Sequence, residues 1–213
     1  MNPTTLLTNK STKLAEFIGI ILGDGNISTC SIRKTYQVRI TGHSEDDRDY
    51  LLNYIRPLAT ELFNIKFSTY KQPNKKELFL TKGSKNLVYA LNYHGLPAGN
   101  KVKNNVKIPE WIFENKGHIR SCLRGIIDTD GSLCPKTPKH PYPSIWLRCA
   151  IPALRETIFK AFKDLDFNPS KWVYSGAPQC CLGKSEEIKR YYAEIGFKNP
   201  NHLNRWKRFA PVV

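Results

Sequence analysis

The chain is short of acidic residues and has no long apolar run. Asp and Glu total 18 against 33 Lys and Arg, a formal charge of +15 over 213 residues. No stretch approaches the roughly 18 consecutive apolar residues that a membrane helix needs. The longest, residues 17–22, is interrupted by a glycine. Residues 1–13 hold no apolar signal core, so an intracellular protein is expected, cytoplasmic or organellar, not secreted and without a membrane partner. None of the six cysteines (Cys30, Cys122, Cys134, Cys149, Cys180, Cys181) forms a C-x-x-C pair, and no histidine pair stands near them at zinc spacing. They are expected to be small buried apolar side chains.

What is present is basic charge on an ordinary globular composition, 40% apolar. Charge of that size opposes compaction and suits a polyanionic partner; the dense phosphates of duplex DNA are the leading candidate.

The chain also repeats itself. Phe-Ile-Gly-Ile-Ile-Leu-Gly-Asp-Gly (17–25) resembles Leu-Arg-Gly-Ile-Ile-Asp-Thr-Asp-Gly (123–131). Residues 36–41 and 144–149 alternate as strands, and 48–62 and 153–165 carry helical spacing. Strand patterns follow at 65–71 and 77–81, and again at 171–174 and 179–182. Each copy closes on a helix and a glycine, Gly95 and Gly196. The fold class is α+β: two pseudo-symmetric α-β-β-α-β-β-α repeats, each with a four-stranded antiparallel sheet. The divisions are an N-terminal extension (1–13), a first repeat (14–96), a linker (97–113), and a second repeat ending in a basic tail (114–213). Residues 135–143 hold four prolines, Lys136, Lys139 and His140, and are expected to form an irregular loop.

The two motifs read as helices. Gly25 suits a left-handed position past the end of the first, and Gly131 stops the second. Small residues recur every fourth position: Ala15, Gly19 and Gly23; Ser121, Gly125 and Thr129. Such stripes let two helix backbones approach closely. Asp24 and Asp130 then sit at helix C-termini, where anions are disfavoured, and close to each other, where they repel. A divalent cation with oxygen ligands, Mg²⁺ above all, would compensate both.

These residues resemble the two-motif, monomeric subclass of the LAGLIDADG homing endonuclease family, and residues 107–112 resemble its lead-in to the second motif. The resemblance implies a saddle of two antiparallel sheets with the motif helices at its centre. It implies a monomer that cuts both strands of a long asymmetric double-stranded DNA target, leaves short 3′ overhangs and serves intron homing. Two or three divalent ions are implied, Mg²⁺ with Mn²⁺ or Ca²⁺ as substitutes, at Asp24 and Asp130 with the preceding Gly23 and Thr129. Further catalytic candidates are His43, Lys82 and Lys184. Asp128 is expected to be structural, or to support the metal ligands from behind. Met1 is followed by neither Cys nor Ser, and residues 209–213 lack His-Asn, so a free-standing or intron-encoded chain is expected rather than an intein.

Strand alternation sends Gln37, Arg39 and Thr41 to one face in the first half, and Trp146 and Arg148 in the second. These are the candidates for reading base edges. Lys71, Lys75, Lys136 and Lys139, with residues 101–107 and 198–208, are candidates for phosphate contact. Two alternatives accompany the nuclease: a maturase acting on its own intron RNA, and a catalytically idle DNA-binding regulator.

Overall fold

The computed structural model describes residues 9–137 and 140–209, with the backbone alone for 136, 137, 140 and 141. Lys139 and the side chain of Lys136 therefore lie outside the described residues.

Ser11 starts helix α1 (Thr12–Leu22) by accepting the Leu14 N–H at 3.2 Å. Strands β1 (Gly25–Cys30) and β2 (Thr35–His43) follow. A π-helical segment, Tyr50–Ile55, runs into α2 (Arg56–Phe63). Strands β3 (Ser68–Lys71) and β4 (Glu77–Gly83) and helix α3 (Lys85–Tyr93) complete the first half. A 3-10 turn, Glu110–Glu114, leads into the second half. That half comprises α4 (Lys116–Asp130), β5 (Gly131–Thr137), β6 (His140–Arg148), α5 (Pro152–Asp164), β7 (Gln179–Leu182), α6 (Ser185–Glu194) and α7 (Pro200–Phe209). No helix among the described residues is long and apolar enough to cross a membrane.

The first sheet is four-stranded and antiparallel, as expected, and its order is β1-β2-β4-β3. The second has the order β5-β6-β7 and departs from expectation at residues 171–174, which do not form a strand. The cause is a slip in pairing. Val173 and Gln179 exchange backbone hydrogen bonds, but Cys181 then pairs with Ser170, taking its N–H and giving its own to Ser170 Oγ. Three steps on one side thus oppose two on the other, a bulge that ends the ladder. A second departure lies at residues 135–137 and 140–143. Instead of belonging to an irregular loop, they continue the pairing of β5 with β6, with Pro135 opposite Pro143 and Thr137 opposite His140. Proline lacks a donor but is tolerated in a two-stranded ribbon where no ladder bond is required. A third is α7: the expected basic tail is a packed helix, its His202 and Trp206 buried and Trp206 stacked on Tyr192 at 4.4 Å.

One apolar core runs through both halves, joined where α1 meets α4. A Cβ on Gly19 would stand 2.1 Å from the Cys122 carbonyl oxygen, and one on Gly125 2.3 Å from that of Glu16. One on Gly23 would stand 2.0 Å from Thr129 Oγ1. Ala15 and Ser121 are buried as well. The contacts advance in the same direction along both helices, so the helices run parallel and their C-termini meet. Gly25 and Gly131 are not left-handed, contrary to expectation: Gly131 has φ −82°, and Gly25 is absent from the positive-φ glycines among the described residues. Their lack of a side chain serves close approach. A Cβ would fall 2.4 Å from Ile21 Cα and 2.5 Å from the Ile127 oxygen, inside the turn just completed.

Candidate active site

The parallel packing brings Asp24 and Asp130 together at the meeting ends of α1 and α4. A Cβ built on Gly23, the neighbour of Asp24, would already stand 3.5 Å from Asp130 Cγ. Asp24 is pinned to the first sheet through its carbonyl, which accepts the Thr41 N–H at 3.1 Å. Burial, followed by the charges of Asp130 and Asp47, pushes the Asp24 carboxyl up to about 7. Burial raises Asp130 too. Among the described residues, no hydrogen bond to either carboxylate offsets these effects.

Lys101, from the linker, is the cation at this place. Its ammonium donates to the last carbonyls of α1: Ile21 at 3.4 Å, Leu22 at 2.8 Å, and Gly23. It thus caps the negative end of that helix. Its charge lowers both aspartates, while its own burial lowers its pKa. Sequence reasoning grouped Lys101 with neighbouring lysines as a phosphate contact. Nothing in the linker's composition separates it from Lys103 or Lys107.

Of the four residues assigned to the metals, the two aspartates present carboxylate oxygens that accept no hydrogen bond from the described residues. The Gly23 carbonyl holds Lys101, and Thr129 Oγ1 donates to its own helix at the Gly125 and Ile126 carbonyls. Gly23 and Thr129 also form the close contact between the two helices. Asp128 is buried on the opposite side, accepting the Lys198 N–H at 2.7 Å, and burial raises it to about 8.

His43 lies at the same end of the sheet as Asp24, because β1 pairs Gly25 with Ile40 and β2 continues three residues beyond. Its Nδ1 accepts the Asp46 N–H at 3.2 Å. The second half pairs Gly131 with Leu147, which makes Ala150 the counterpart of His43, so no polar side chain stands there. Lys82 and Lys184 are not brought to the aspartates. Lys82 pairs with Val38, three residues down the strand from Thr41, on the order of 10 Å away and on the side of the buried Val38. By register its counterpart is the buried Leu182. Lys184 is the residue that precedes α6, the place Ser84 takes before α3.

No family model matches the chain. The replication factor C small subunit of Methanocaldococcus jannaschii is 30% identical over 125 residues, 55% of this chain, which spans 7% of that protein's length. Solved structures are similar over nearly the whole chain. The homing endonuclease I-DmoI, in complex with DNA and Mn, has a TM-score of 0.62 at 23% identity, covering 88% of this chain and 98% of its own. The LAGLIDADG meganuclease I-AabMI, bound to uncleaved DNA, has 0.60 at 12%, covering 92% and 88%. The LAGLIDADG homing endonuclease I-LtrWI, bound to target DNA, has 0.56 at 12%, covering 95% and 90%. The fold is that of the LAGLIDADG homing endonucleases.

In this LAGLIDADG fold each sheet turns one face to the helices and leaves the other open. Val38 and Ile40 are buried while Arg39 is exposed and Gln37 and Thr41 are half-buried. Arg39 lies 4.9 Å from the centre of the Phe79 ring and donates to Gln37 Oε1 at 3.3 Å. In the second half Trp146 Nε1 donates to Ser144 Oγ, and Arg148 reaches Gln179 Oε1 at 3.4 Å. Ser132, Trp146, Arg148 and Gln179 line a concavity of about 570 Å³ that opens beside Asp130. Lys75 lies in the exposed turn between β3 and β4. Lys71 pairs with buried Leu78, which puts it on the helix side of the sheet. Tyr70, stacked on Phe79, shares the open side instead, a residue that the sequence reading passed over.

Proposed function

We propose that the chain is a site-specific DNA endonuclease that hydrolyses both strands of a long, asymmetric duplex as a monomer, using divalent metal ions and leaving short 3′ overhangs. One observation carries this reading: two carboxylates meet at matched helix ends, and each is held above its ordinary range with no hydrogen bond from a described residue to offset the cost. A donor set of two carboxylate oxygens, open to solvent and to substrate phosphate, suits Mg²⁺, which keeps most of its waters and takes few protein ligands. I-DmoI was solved with DNA and Mn, with DNA and Ca, and with DNA in the presence of Mg.

When bound, such ions activate water, neutralise charge at the phosphate and assist the leaving 3′-oxygen. The chain's own residues do the rest. Asp24 and Asp130 hold the ions, one from each half. Lys101 places a positive charge beside both and favours the extra negative charge of the transition state. His43 offers an imidazole at the Asp24 end, its Nδ1 occupied by the loop. The open sheet faces, through Gln37, Arg39, Thr41, Trp146 and Arg148, contact base edges, while exposed lysines hold phosphates.

The test is DNA carrying the uninterrupted host allele, incubated with the protein in Mg²⁺ or in chelator. A specific double-strand cut in Mg²⁺ alone is the expected result. Intact DNA together with tight binding of the host intron RNA would replace the nuclease by a maturase.

A further inference from the structure

The C-terminal segment ties the last turn of α4 to the His43–Asp47 turn of the first half. Asn199 is buried, at 3% exposure, and every polar group of its side chain is used. Its Oδ1 accepts the Asn201 N–H at 3.0 Å and starts α7, with Pro200 as the first helical residue. Its Nδ2 makes two bonds, one to each half: 3.0 Å to the Asp128 carbonyl, two residues before Asp130, and 3.1 Å to Asp47 Oδ1 in the first half. The other oxygen of Asp47 accepts the His43 N–H at 2.9 Å, and the Asp47 N–H returns to the His43 carbonyl at 3.1 Å. Asn201 Nδ2 adds a bond to the Asp46 carbonyl at 2.8 Å, and the Lys198 N–H one to Asp128 Oδ2.

We propose that Asn199 is a positioning residue for DNA cleavage: through Asp47 it fixes the His43 turn of the first half against the end of α4 that carries Asp130. This rests on the endonuclease reading and deepens it. The first half has a polar side chain at the end of β2 and the second half has Ala150, so the two strand cuts depend on different groups. Asn199 acts on one of them. Its removal leaves the sheet faces and both carboxylates in place but frees the turn that aims His43. Because a displacement of an ångström at a reacting group is costly, the expected effect is about a tenfold slower cut of one strand. The nicked duplex should then accumulate.

The experiment follows each strand separately in the full chain, with Asn199→Ala, Asn199→Asp and the double variant Asp47→Asn with Asn199→Asp. The double variant reverses the bond to residue 47, so that the amide at 47 donates to the carboxylate at 199, while the bond to the Asp128 carbonyl stays broken. The expected results are duplex affinity within threefold of wild type, nick accumulation in both single variants, and partial recovery of the slowed strand in the double variant, which rebuilds the link to the His43 turn alone. Should Asn199→Ala fail to fold, the comparison of Asn199→Asp with the double variant carries the test alone. Wild-type rates on both strands in the single variants, or equal slowing of both without recovery, overturns the proposal. Failure of the wild type to cut at all would instead overturn the endonuclease reading.

Discussion

Arg124 of the second half closes a two-point ion pair on Glu16 of the first, Nε to Oε1 at 3.0 Å and Nη2 to Oε2. Glu16 is buried and Arg124 half-buried, and the Tyr54 hydroxyl donates to the same carboxylate at 2.6 Å. Removing one partner leaves a charge in the core. Arg124→Ala is therefore expected to cost about 3–5 kcal/mol. Replacing both residues by apolar ones of similar volume is expected to cost far less. Denaturant unfolding of the single and double variants checks this, and equal losses would contradict it.

Gly19 and Gly125 each leave no room for a methyl group, because the partner is backbone carbonyl and not a movable side chain. Gly19→Ala or Gly125→Ala must push α1 and α4 apart. The expected loss is about 3 kcal/mol by overpacking, with DNA cleavage reduced as the spacing of Asp24 and Asp130 changes. An alanine variant with unaltered unfolding midpoint would refute the close approach.

The pH dependence of the metal-free protein has a definite sign. Asp24 at about 7 and Asp128 at about 8 hold protons in the folded chain that the unfolded chain has already released. Stability therefore falls as pH rises from about 4 to 8. Asp24→Asn removes its share, so this variant should melt higher than wild type at pH 8 and equally at pH 4. Adding a divalent ion should raise the wild-type melting temperature more at pH 8 than at pH 6. Thermal melts in chelator and in Ca²⁺ measure both.

Much of this was legible because the motif repeats. Two Asp-Gly steps after matched small-residue stripes specify a parallel helix pair with converging carboxylates, and strand alternation identifies Arg39 and Arg148 as open-face residues. The remainder depends on register and on distant chain. Lys82 and Lys184 resemble each other in sequence, yet one pairs with Val38 and the other precedes α6, a difference that only the strand pairing fixes. The bulge at Ser170 follows from one hydroxyl taking a ladder bond. Lys101 and Asn199 act across the fold on carbonyls and carboxylates far away in sequence, and such contacts have no periodic signature.

Lys101→Met is expected to slow cleavage about 100-fold, the usual cost of losing one preorganised donor at a developing charge. Duplex affinity should stay within threefold. Gel-based cleavage and binding titrations separate the two, and a loss confined to binding would return Lys101 to the phosphate-contact group.

Binding should also weaken steeply with salt. With six or more phosphates neutralised, affinity falls about a thousandfold between 50 and 200 mM salt through counterion release. Fluorescence anisotropy across that range measures the slope, and a flat response would contradict a phosphate-tracking surface.

The central claim is that Asp24 and Asp130 hold the ions that cut DNA. Strand-resolved cleavage in Mg²⁺ by wild type, Asp24→Asn and Asp130→Asn tests it most directly. The account predicts cleavage of both strands by wild type, and loss of cleavage in each variant with duplex binding retained. Wild-type cleavage by either variant would contradict it.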